Sequence, residues 1–148
     1  AYKTAANLDF SEGTALRFAR ALVNADDAQG AAQVIGLYLS QNPQSIPMRL
    51  MLADIHMGAG RWQSAIAQLE IVRARIGNRD AVVLNNLAWA NLKANNRQQA
   101  TRLAAAAYAL MPTNMVVVRN LSKALELVGK AEYSRMYSAK CCLRGPAA

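Results

Sequence analysis

The sequence predicts an all-α fold of about four stacked helical hairpins. Small residues recur in pairs that lie twelve positions apart, and successive pairs are separated by 34, 35 and 34 residues: Ala19 and Ala31, Ala53 and Ala65, Ala88 and Ala100, Ser122 and Ser134. A period of this length is typical of stacked helical hairpins. The hydrophobic fraction is 53% and aromatic residues make up only 6%. A core of small and aliphatic side chains suits closely packed helices.

Each repeat is predicted to contain two amphipathic helices that cross closely. In the second repeat Leu52 and Ile55 are followed by Ala65, Ile66 and Leu69, at spacings that place apolar residues on one helical face. The small pair allows the two backbones to approach, because neither side chain occupies the crossing. Bulky residues are expected to fill the space around it: Phe18, Leu52, Leu87 and Leu121 on first helices, Ile35 and Leu69 on second helices.

Turn-forming residues fall at the same point of every repeat. The second repeat has the segment 58–60, with two glycines, the third has Asn95-Asn96 and the fourth has Gly129-Lys130. Glycine and asparagine tolerate the left-handed conformation that ends a helix. In the first repeat, Asp26-Asp27 is predicted to cap the following helix.

The ends of the repeats are marked by helix-stopping residues, which are Pro43, Gly77-Asn78, Pro112 and Pro146. The predicted units span about 12–45, 46–80, 81–114 and 115–146, within a domain of residues 11–146, and residues 147–148 form a tail. Ser11-Glu12 has the character of a helix cap and first turn, so residues 1–10 are interpreted as the tail of a preceding repeat helix. This predicts a piece of a longer repeat protein.

These units resemble the tetratricopeptide repeat (TPR) family. The third unit carries the family's spaced positions as Leu84, Leu87, Ala88 and Asn91, followed by Ala100, Ala104 and Pro112. The other three units repeat the pattern in phase, although the family's first aromatic residue and its tyrosine are missing throughout. The resemblance implies an α-solenoid of antiparallel helix-turn-helix units in a right-handed superhelix. It also implies a non-catalytic scaffold for protein–protein interaction.

In this family the first helix of each unit lines a concave groove, and the resemblance carries specific positions onto this chain. The partner-binding residues it implies are Arg17, Arg20, Asn24, Asp54, Asn85, Asn86, Trp89, Lys93, Arg119, Asn120 and Lys123. Asparagine amides can hydrogen-bond a peptide backbone, and the cations favour an acidic segment or a carboxylate. Trp89 is the candidate apolar anchor. The alternative is that Trp89 only packs against a neighbouring repeat.

The chain departs from those family members that clamp a chaperone's terminal carboxylate. That clamp requires Lys and Asn in the first unit, where this chain has Leu16 and Arg20. It requires Lys and Arg in the third unit, where Asn85 and Asn86 stand. The predicted ligand is therefore a different protein or peptide.

The sequence contains no recognisable catalytic, metal or cofactor site. The only histidine, His56, falls at a core position of the family and is predicted to be a packed, hydrogen-bonded residue. Cys141 and Cys142 are adjacent and lack zinc-site spacing; Cys141 is expected to face the last hairpin and Cys142 to be exposed. Trp62 is expected to cover a hairpin end. The chain is predicted not to be an enzyme.

The net charge of +8 predicts attraction to anionic partners, although the 17 Lys and Arg are spread along the chain. An acidic protein or peptide is the favoured partner. One alternative is RNA, because helical repeats of similar period bind it base by base. Another is a structural spacer that self-associates as a homodimer through its uncapped C-terminal repeat. No apolar run is long enough for a membrane-spanning helix.

A finer resemblance concerns residues 81–114. The strings "NNLAW" and "YALMPTN" are similar to repeats of bacterial TPR proteins linked to exosortase/PEP-CTERM sorting and exopolysaccharide secretion. This resemblance implies a scaffold in the cell envelope or periplasm. Without it, a cytoplasmic location is the expectation.

Overall fold

A computed structural model describes the backbone of residues 10–143 and the side chains of residues 10–140. The predicted tail helix therefore lies outside the described residues except for Phe10, as do Pro146, the tail 147–148 and the side chains of both cysteines. All regular structure in the described range is helical. Eight helices follow one another: α1 (Glu12–Asn24), α2 (Ala28–Gln41), α3 (Ile46–Gly58), α4 (Trp62–Ile76), α5 (Ala81–Lys93), α6 (Arg97–Leu110), α7 (Met115–Leu127) and α8 (Ala131–Leu143).

Five of the eight described helices begin with a side-chain cap. Ser11, Asp27, Ser45, Asp80 and Asn114 each accept a hydrogen bond from a backbone N–H in the first turn of the helix that follows. Such caps satisfy donors that have no partner inside the helix. The predicted cap at Asp27 is confirmed, because its Oδ1 accepts from the Gly30 N–H at 2.8 Å.

The turns inside the hairpins share one backbone geometry. Asp26, Gly60, Asn95 and Gly129 all have a positive φ, between 62° and 78°, and they repeat the 34, 35, 34 spacing of the small pairs. The residue after each one donates its N–H to the carbonyl five residues earlier, at 2.8 Å in all four turns. This is the hydrogen bond of a Schellman helix end. Gly77, with φ 73°, ends α4 in the left-handed conformation as well.

The chain divides into two compact units, residues 1–61 and 62–148. In the first unit α1 packs on α2, and α3 packs on both. The core of this unit centres on Ile35, Met48 and Tyr38 together with small residues on α1 and α2. The side chains of Ser45 and Glu12 form a hydrogen bond that joins the starts of α3 and α1.

In the second unit, α4 to α8 pack each on the next, and α5 also contacts α7. Leu69, Leu84, Leu87 and Leu121 are among its fully buried side chains. Because α4, α6 and α7 all pack on α5, this helix is buried on most of its circumference. It supplies eight buried residues, more than any other helix of the described range.

The small pairs occupy the positions that the period predicts. All eight residues are buried, from Ala19 and Ala31 at 0% exposure to Ser122 at 7%. Phe18 is a correction, because it was expected to fill core space and is 54% exposed. Its equivalent Leu87 is buried where α4 and α6 both pack on α5, whereas no helix precedes α1 among the described residues.

Candidate functional site

The exposed side of α5 is a narrow stripe. Val82, Asn86, Trp89 and Lys93 follow one another at spacings of four, three and four, which places them in one row along the helix. Val82 is 60% exposed, Lys93 is exposed, and Asn86 and Trp89 are half-buried. Most of the rest of α5 is covered by its three neighbouring helices, so this row is the part of the helix that a partner can reach.

The neighbouring helix α7 carries a matching row at the positions 34 residues later. These are Val116, Asn120, Lys123 and Leu127, of which Val116 is 54% exposed and Lys123 is also exposed. The two rows together are called the α5–α7 face. One hydrogen bond joins the helices at its border, from the Asn120 Nδ2 to the Asn85 Oδ1 at 2.9 Å.

Trp89 and Lys93 form the most specific feature of the face. The Lys93 ammonium lies over the Trp89 ring, with its Nζ 4.6 Å from the ring centroid. A cation in this position is attracted by the negative face of the aromatic ring. The contact presents an apolar ring and a positive charge side by side on one turn of α5. A partner segment with adjacent apolar and acidic groups would match both.

Five of the partner-binding residues predicted in the second unit lie together in the structure. Asn86, Trp89, Lys93, Asn120 and Lys123 share the α5–α7 face. Lys123 also lies 3.8 Å from Glu126 in an exposed ion pair of the kind that contributes little to stability.

Two predicted groove residues lie elsewhere. Asn85 is buried, at 8% exposure, and its amide oxygen is occupied by Asn120. Arg119 stands at the position equivalent to Asn85 and lines a groove between α7 and α8 instead. Both residues lie on the corresponding side of their helices, which in α5 meets α7, so Asn85 does not point outward with Trp89.

The remaining predicted residues lie in the first unit. Arg17, Arg20 and Asn24 are exposed on α1, and Asp54 is exposed on α3, which packs on α1. Partial burial raises the pKa of the Asp54 carboxyl above its usual range. Burial disfavours the charged form of a carboxyl group.

The distribution of charge was not part of the sequence prediction. Residues 1–61 contain five Lys and Arg and five Asp and Glu, whereas residues 62–148 contain twelve Lys and Arg and only four Asp and Glu. The whole net charge of +8 therefore belongs to the second unit. The signal was present in the sequence, but it becomes visible only when the charges are counted for each unit separately. The exposed Val82 and Val116 were also missed.

His56 takes part in a local contact. Its Nδ1 accepts a hydrogen bond from the Arg61 Nε at 3.1 Å, across the turn that follows α3. Partial burial, and then the nearby Arg61 charge, lower the pKa of the imidazole. Among the described residues no group of three or more His, Cys, Asp or Glu side chains is placed to hold a metal ion. No described helix is long and apolar enough to cross a membrane.

Comparisons with known proteins extend this description. Residues 22–85 match the family model for the tetratricopeptide repeat. A search of curated proteins found no match. Among solved structures, a crystal structure of MamA is 20% identical, with 86% of this chain and 74% of that chain covered and a TM-score of 0.80.

MamA from Desulfovibrio magneticus RS-1 is 17% identical, with 93% of this chain and 77% of that chain covered and a TM-score of 0.85. A double mutant of RS-1 MamA is 17% identical, with 95% and 79% covered and a TM-score of 0.86. At these identities the likeness concerns the fold. The sequence match therefore identifies tetratricopeptide repeats in residues 22–85, and the fold of the described chain is that of helical-repeat proteins.

Proposed function

We propose that the α5–α7 face binds a peptide segment of a protein partner that carries acidic and apolar residues. The observation that supports this proposal best is the contact of Trp89 with Lys93. An aromatic ring that is half-buried keeps a fixed position and still exposes apolar area, which is a frequent property of binding hot spots. The ammonium beside it offers a charged hydrogen-bond donor to a carboxylate.

The rest of the face supports the same partner. Val82 and Val116, equivalent positions on neighbouring helices, offer exposed apolar area near the starts of α5 and α7. Asn86 adds an amide that can donate to a peptide carbonyl and accept from a peptide N–H. Lys93 and Lys123 place two cations farther along the helices. A segment that crosses the face would meet valines at one end and cations beyond them.

The charge of the second unit supports an acidic partner over a neutral one. With an excess of eight positive charges in residues 62–148, the unit attracts anionic segments before contact is made. Such steering raises the association rate more than it raises the final affinity. Arg17, Arg20, Asn24 and Asp54 on the first unit are proposed as further contact residues.

The biological setting is a separate part of this proposal. The resemblance of residues 81–114 to repeats of bacterial TPR proteins linked to PEP-CTERM sorting and exopolysaccharide secretion supports a scaffold of the cell envelope. A cytoplasmic scaffold is the alternative. Either setting is compatible with a partner that contributes an acidic segment to the α5–α7 face.

The proposal is tested by selecting ligands from a library of displayed peptides of about ten residues. We expect wild-type chain to enrich sequences in which Asp or Glu lies near an apolar residue. The affinity for these peptides should fall by about tenfold or more in Trp89→Ala and in Lys93→Ala. A loss of this size is usual for a binding hot spot. Lys130→Ala, which removes an exposed cation away from the face, is the matched control and should retain them.

Two results would contradict the proposal. One is the selection of peptides whose binding is the same in Trp89→Ala and wild type. The other is a preference for single-stranded RNA, with an affinity that falls steeply with salt, as expected when Lys and Arg displace counterions from phosphates. That result would favour the nucleic-acid alternative.

A further inference from the structure

The turn between α5 and α6 forms an open polar groove of about 720 Å³. It is called the amide groove, and its lining residues are Asn91, Asn95, Asn96, Arg97, Gln98, Gln99 and Arg102. The groove lies within the array, because α4 packs on α5 and α7 packs on α6. Asn91 follows Trp89 by two residues, about 200° around the helix, so the amide groove and the α5–α7 face are separate surfaces.

The lining of the amide groove is entirely polar, with five amide side chains and two guanidinium groups. Ligand sites of this size are usually lined mainly by apolar side chains. An apolar ligand would therefore gain little by entering the groove. Amides and guanidiniums together provide many hydrogen-bond donors and several acceptors, so the matching ligand is rich in hydrogen-bonding groups.

Hydrogen bonds hold part of this lining in place. Asn91 is buried, at 4% exposure, and its Nδ2 donates to the Leu87 carbonyl at 2.8 Å. The Asn91 Oδ1 accepts from the Asn96 Nδ2 at 3.1 Å. The Arg97 Nε donates to the Asn95 Oδ1 at 3.0 Å. Groups that are already ordered lose less conformational freedom when a ligand binds.

The amide groove is positively charged. Arg97 and Arg102 are exposed, and neither forms an ion pair with a described carboxylate. Residues 81–125, which include the whole groove, contain five Lys and Arg and no Asp or Glu. An anionic group in the groove would therefore meet two guanidiniums and no carboxylate of the lining.

The hairpin turn itself does not require these side chains. The residues at the position of Arg102 in the other repeats are Gln33, Ala67 and Met136. The residues at the position of Arg97 are Ala28, Trp62 and Ala131. The residues at the position of Asn91 are Leu22, His56 and Leu125. Because all four turns share one backbone geometry, the guanidiniums and the buried amide are special to the third repeat.

We propose that the amide groove binds an anionic polysaccharide, with Arg97 and Arg102 on its carboxylates and the amides on its hydroxyls. A sugar hydroxyl can both donate and accept a hydrogen bond, as a side-chain amide can. The planar guanidinium pairs with a carboxylate through two parallel hydrogen bonds. A polymer of uronic acids carries hydroxyls and a carboxylate on every ring, so it matches both kinds of lining group.

Two other classes of polyanion match the groove less well. Single-stranded nucleic acids are bound largely by stacking of their bases on aromatic side chains, and no aromatic residue lines the groove. A peptide is usually anchored by aromatic or aliphatic side chains in well-packed pockets, which this lining does not offer. Both classes are competing probes in the test.

The test measures the binding of matched probes to the chain by isothermal titration calorimetry. The probes are oligogalacturonate and oligomannuronate, each also as its methyl ester, which keeps the ring hydroxyls and removes the charge. Oligouridylate and oligoglutamate represent the competing polyanions. We expect a uronate to bind more tightly than either competitor. Its methyl ester should bind at least about tenfold more weakly, as expected when a charged hydrogen bond is lost.

Three variants of the chain make the result specific to the groove. Arg102→Gln removes one guanidinium but keeps an amide, so the affinity for the uronate should fall by at least about tenfold and that for the ester should hardly change. Arg75→Gln removes an exposed cation near the end of α4 and should retain both affinities. Trp89→Ala, on the α5–α7 face, should also bind the uronate like wild type. Circular dichroism confirms that the variants are folded.

Several outcomes would overturn the proposal. One is that neither uronate binds, and another is that the ester binds as tightly as the acid. A third is that Arg102→Gln binds the uronate like wild type. Tighter binding of oligouridylate or oligoglutamate, lost in Arg102→Gln, would assign the groove to a nucleic acid or an acidic peptide instead. Because Trp89→Ala separates the two surfaces, none of these outcomes decides whether the α5–α7 face binds a peptide.

Discussion

The third and fourth hairpins have the same crossing but fill it with different chemistry. In the third, Ala88 and Ala100 meet with almost no exposure and no polar side-chain atoms. In the fourth, Ser122 and Ser134 replace them, and their hydroxyls find partners: Ser122 lies 3.4 Å from the Ser134 carbonyl, and Ser134 donates to Glu126 at 3.1 Å. The comparison shows that the crossing requires a small side chain and accepts a polar one when its hydrogen bonds are satisfied.

The surroundings of the two hairpins explain the difference. The helix α5 is packed on three sides, so a hydroxyl at Ala88 would be buried. The helix α8 is covered much less, and Ser134 is its only buried residue among the described side chains. The serines therefore belong to the hairpin that has the groove between α7 and α8 on one side. The two hairpins are expected to respond differently to the same substitutions.

A bulky residue at the crossing is expected to have the largest effect. Ala88→Phe places a ring in a closed space and should lower the free energy of unfolding by about 1–3 kcal/mol. Ser122→Phe should lower the free energy of unfolding by less, because the groove between α7 and α8 beside Ser122 can accept part of the ring. Urea unfolding of both variants measures the difference. Equal losses would mean that the two crossings are packed alike, contrary to the comparison.

Substitutions in the turns of these two hairpins are expected to have a smaller effect on stability. Asn95 and Gly129 hold the same left-handed position, with φ 66° and 78°. Gly129→Ala should destabilise the fold by about 1–2 kcal/mol, because the added Cβ disfavours this conformation. Asn95→Ala should cost less, because asparagine already has a Cβ and loses only its local side-chain hydrogen bond with Arg97. Asn95→Gly should be close to neutral. Thermal unfolding of the three variants tests this, and a stable Gly129→Ala would show that the turn can adopt another geometry.

The smallest expected effect is a pH dependence of the stability, which arises from the side chain at one position of the repeat. Leu22, His56, Asn91 and Leu125 supply the carbonyl that closes each turn, and only the second repeat has a titrating side chain there. The pKa of His56 is lowered from 6.5, so the unfolded chain binds the proton more readily. The stability contributed by neutral His56 is present above about pH 6.5 and is lost as the pH falls below it.

His56→Gln replaces the Nδ1 acceptor by an amide oxygen that can accept from Arg61, and this side chain does not titrate. Between pH 7.5 and 5.5 the melting temperature of wild type should fall slightly more than that of this variant. Asn91→Leu, which changes the equivalent position of the third repeat, serves as the control and should follow wild type. Parallel melting curves for wild type and His56→Gln over this range would contradict the inferred pKa direction.

Much of the fold could be predicted because it depends on periodic, local features. The small pairs and the turn residues are fixed by steric contacts inside one hairpin, and both were found at the expected positions. Phe18 was predicted wrongly because its burial depends on a neighbour. Whether a position is covered is decided by the helix that packs beside it, and repeat spacing alone does not supply that information.

The candidate site was less predictable for the same reason. The row of Asn86, Trp89 and Lys93 follows from helical spacing within α5. Asn85 is next to Asn86 in sequence, but it is turned by about 100° towards α7 and is buried there. The binding positions carried over from the repeat family identify which helix holds a contact residue. The packing of the following repeat decides which of two adjacent residues a partner can reach.

The four left-handed turns also have a consequence for folding. Each turn is closed by a hydrogen bond between residues five positions apart, so the turn geometry is set by contacts that are local in sequence. Chains dominated by local contacts lose little loop entropy before their contacts form, and they fold quickly. In a repeat array folding can also begin in more than one place and spread to the neighbours. We therefore expect several alternative starting points for folding, with the closely packed α5–α6 hairpin as the last to open in hydrogen exchange.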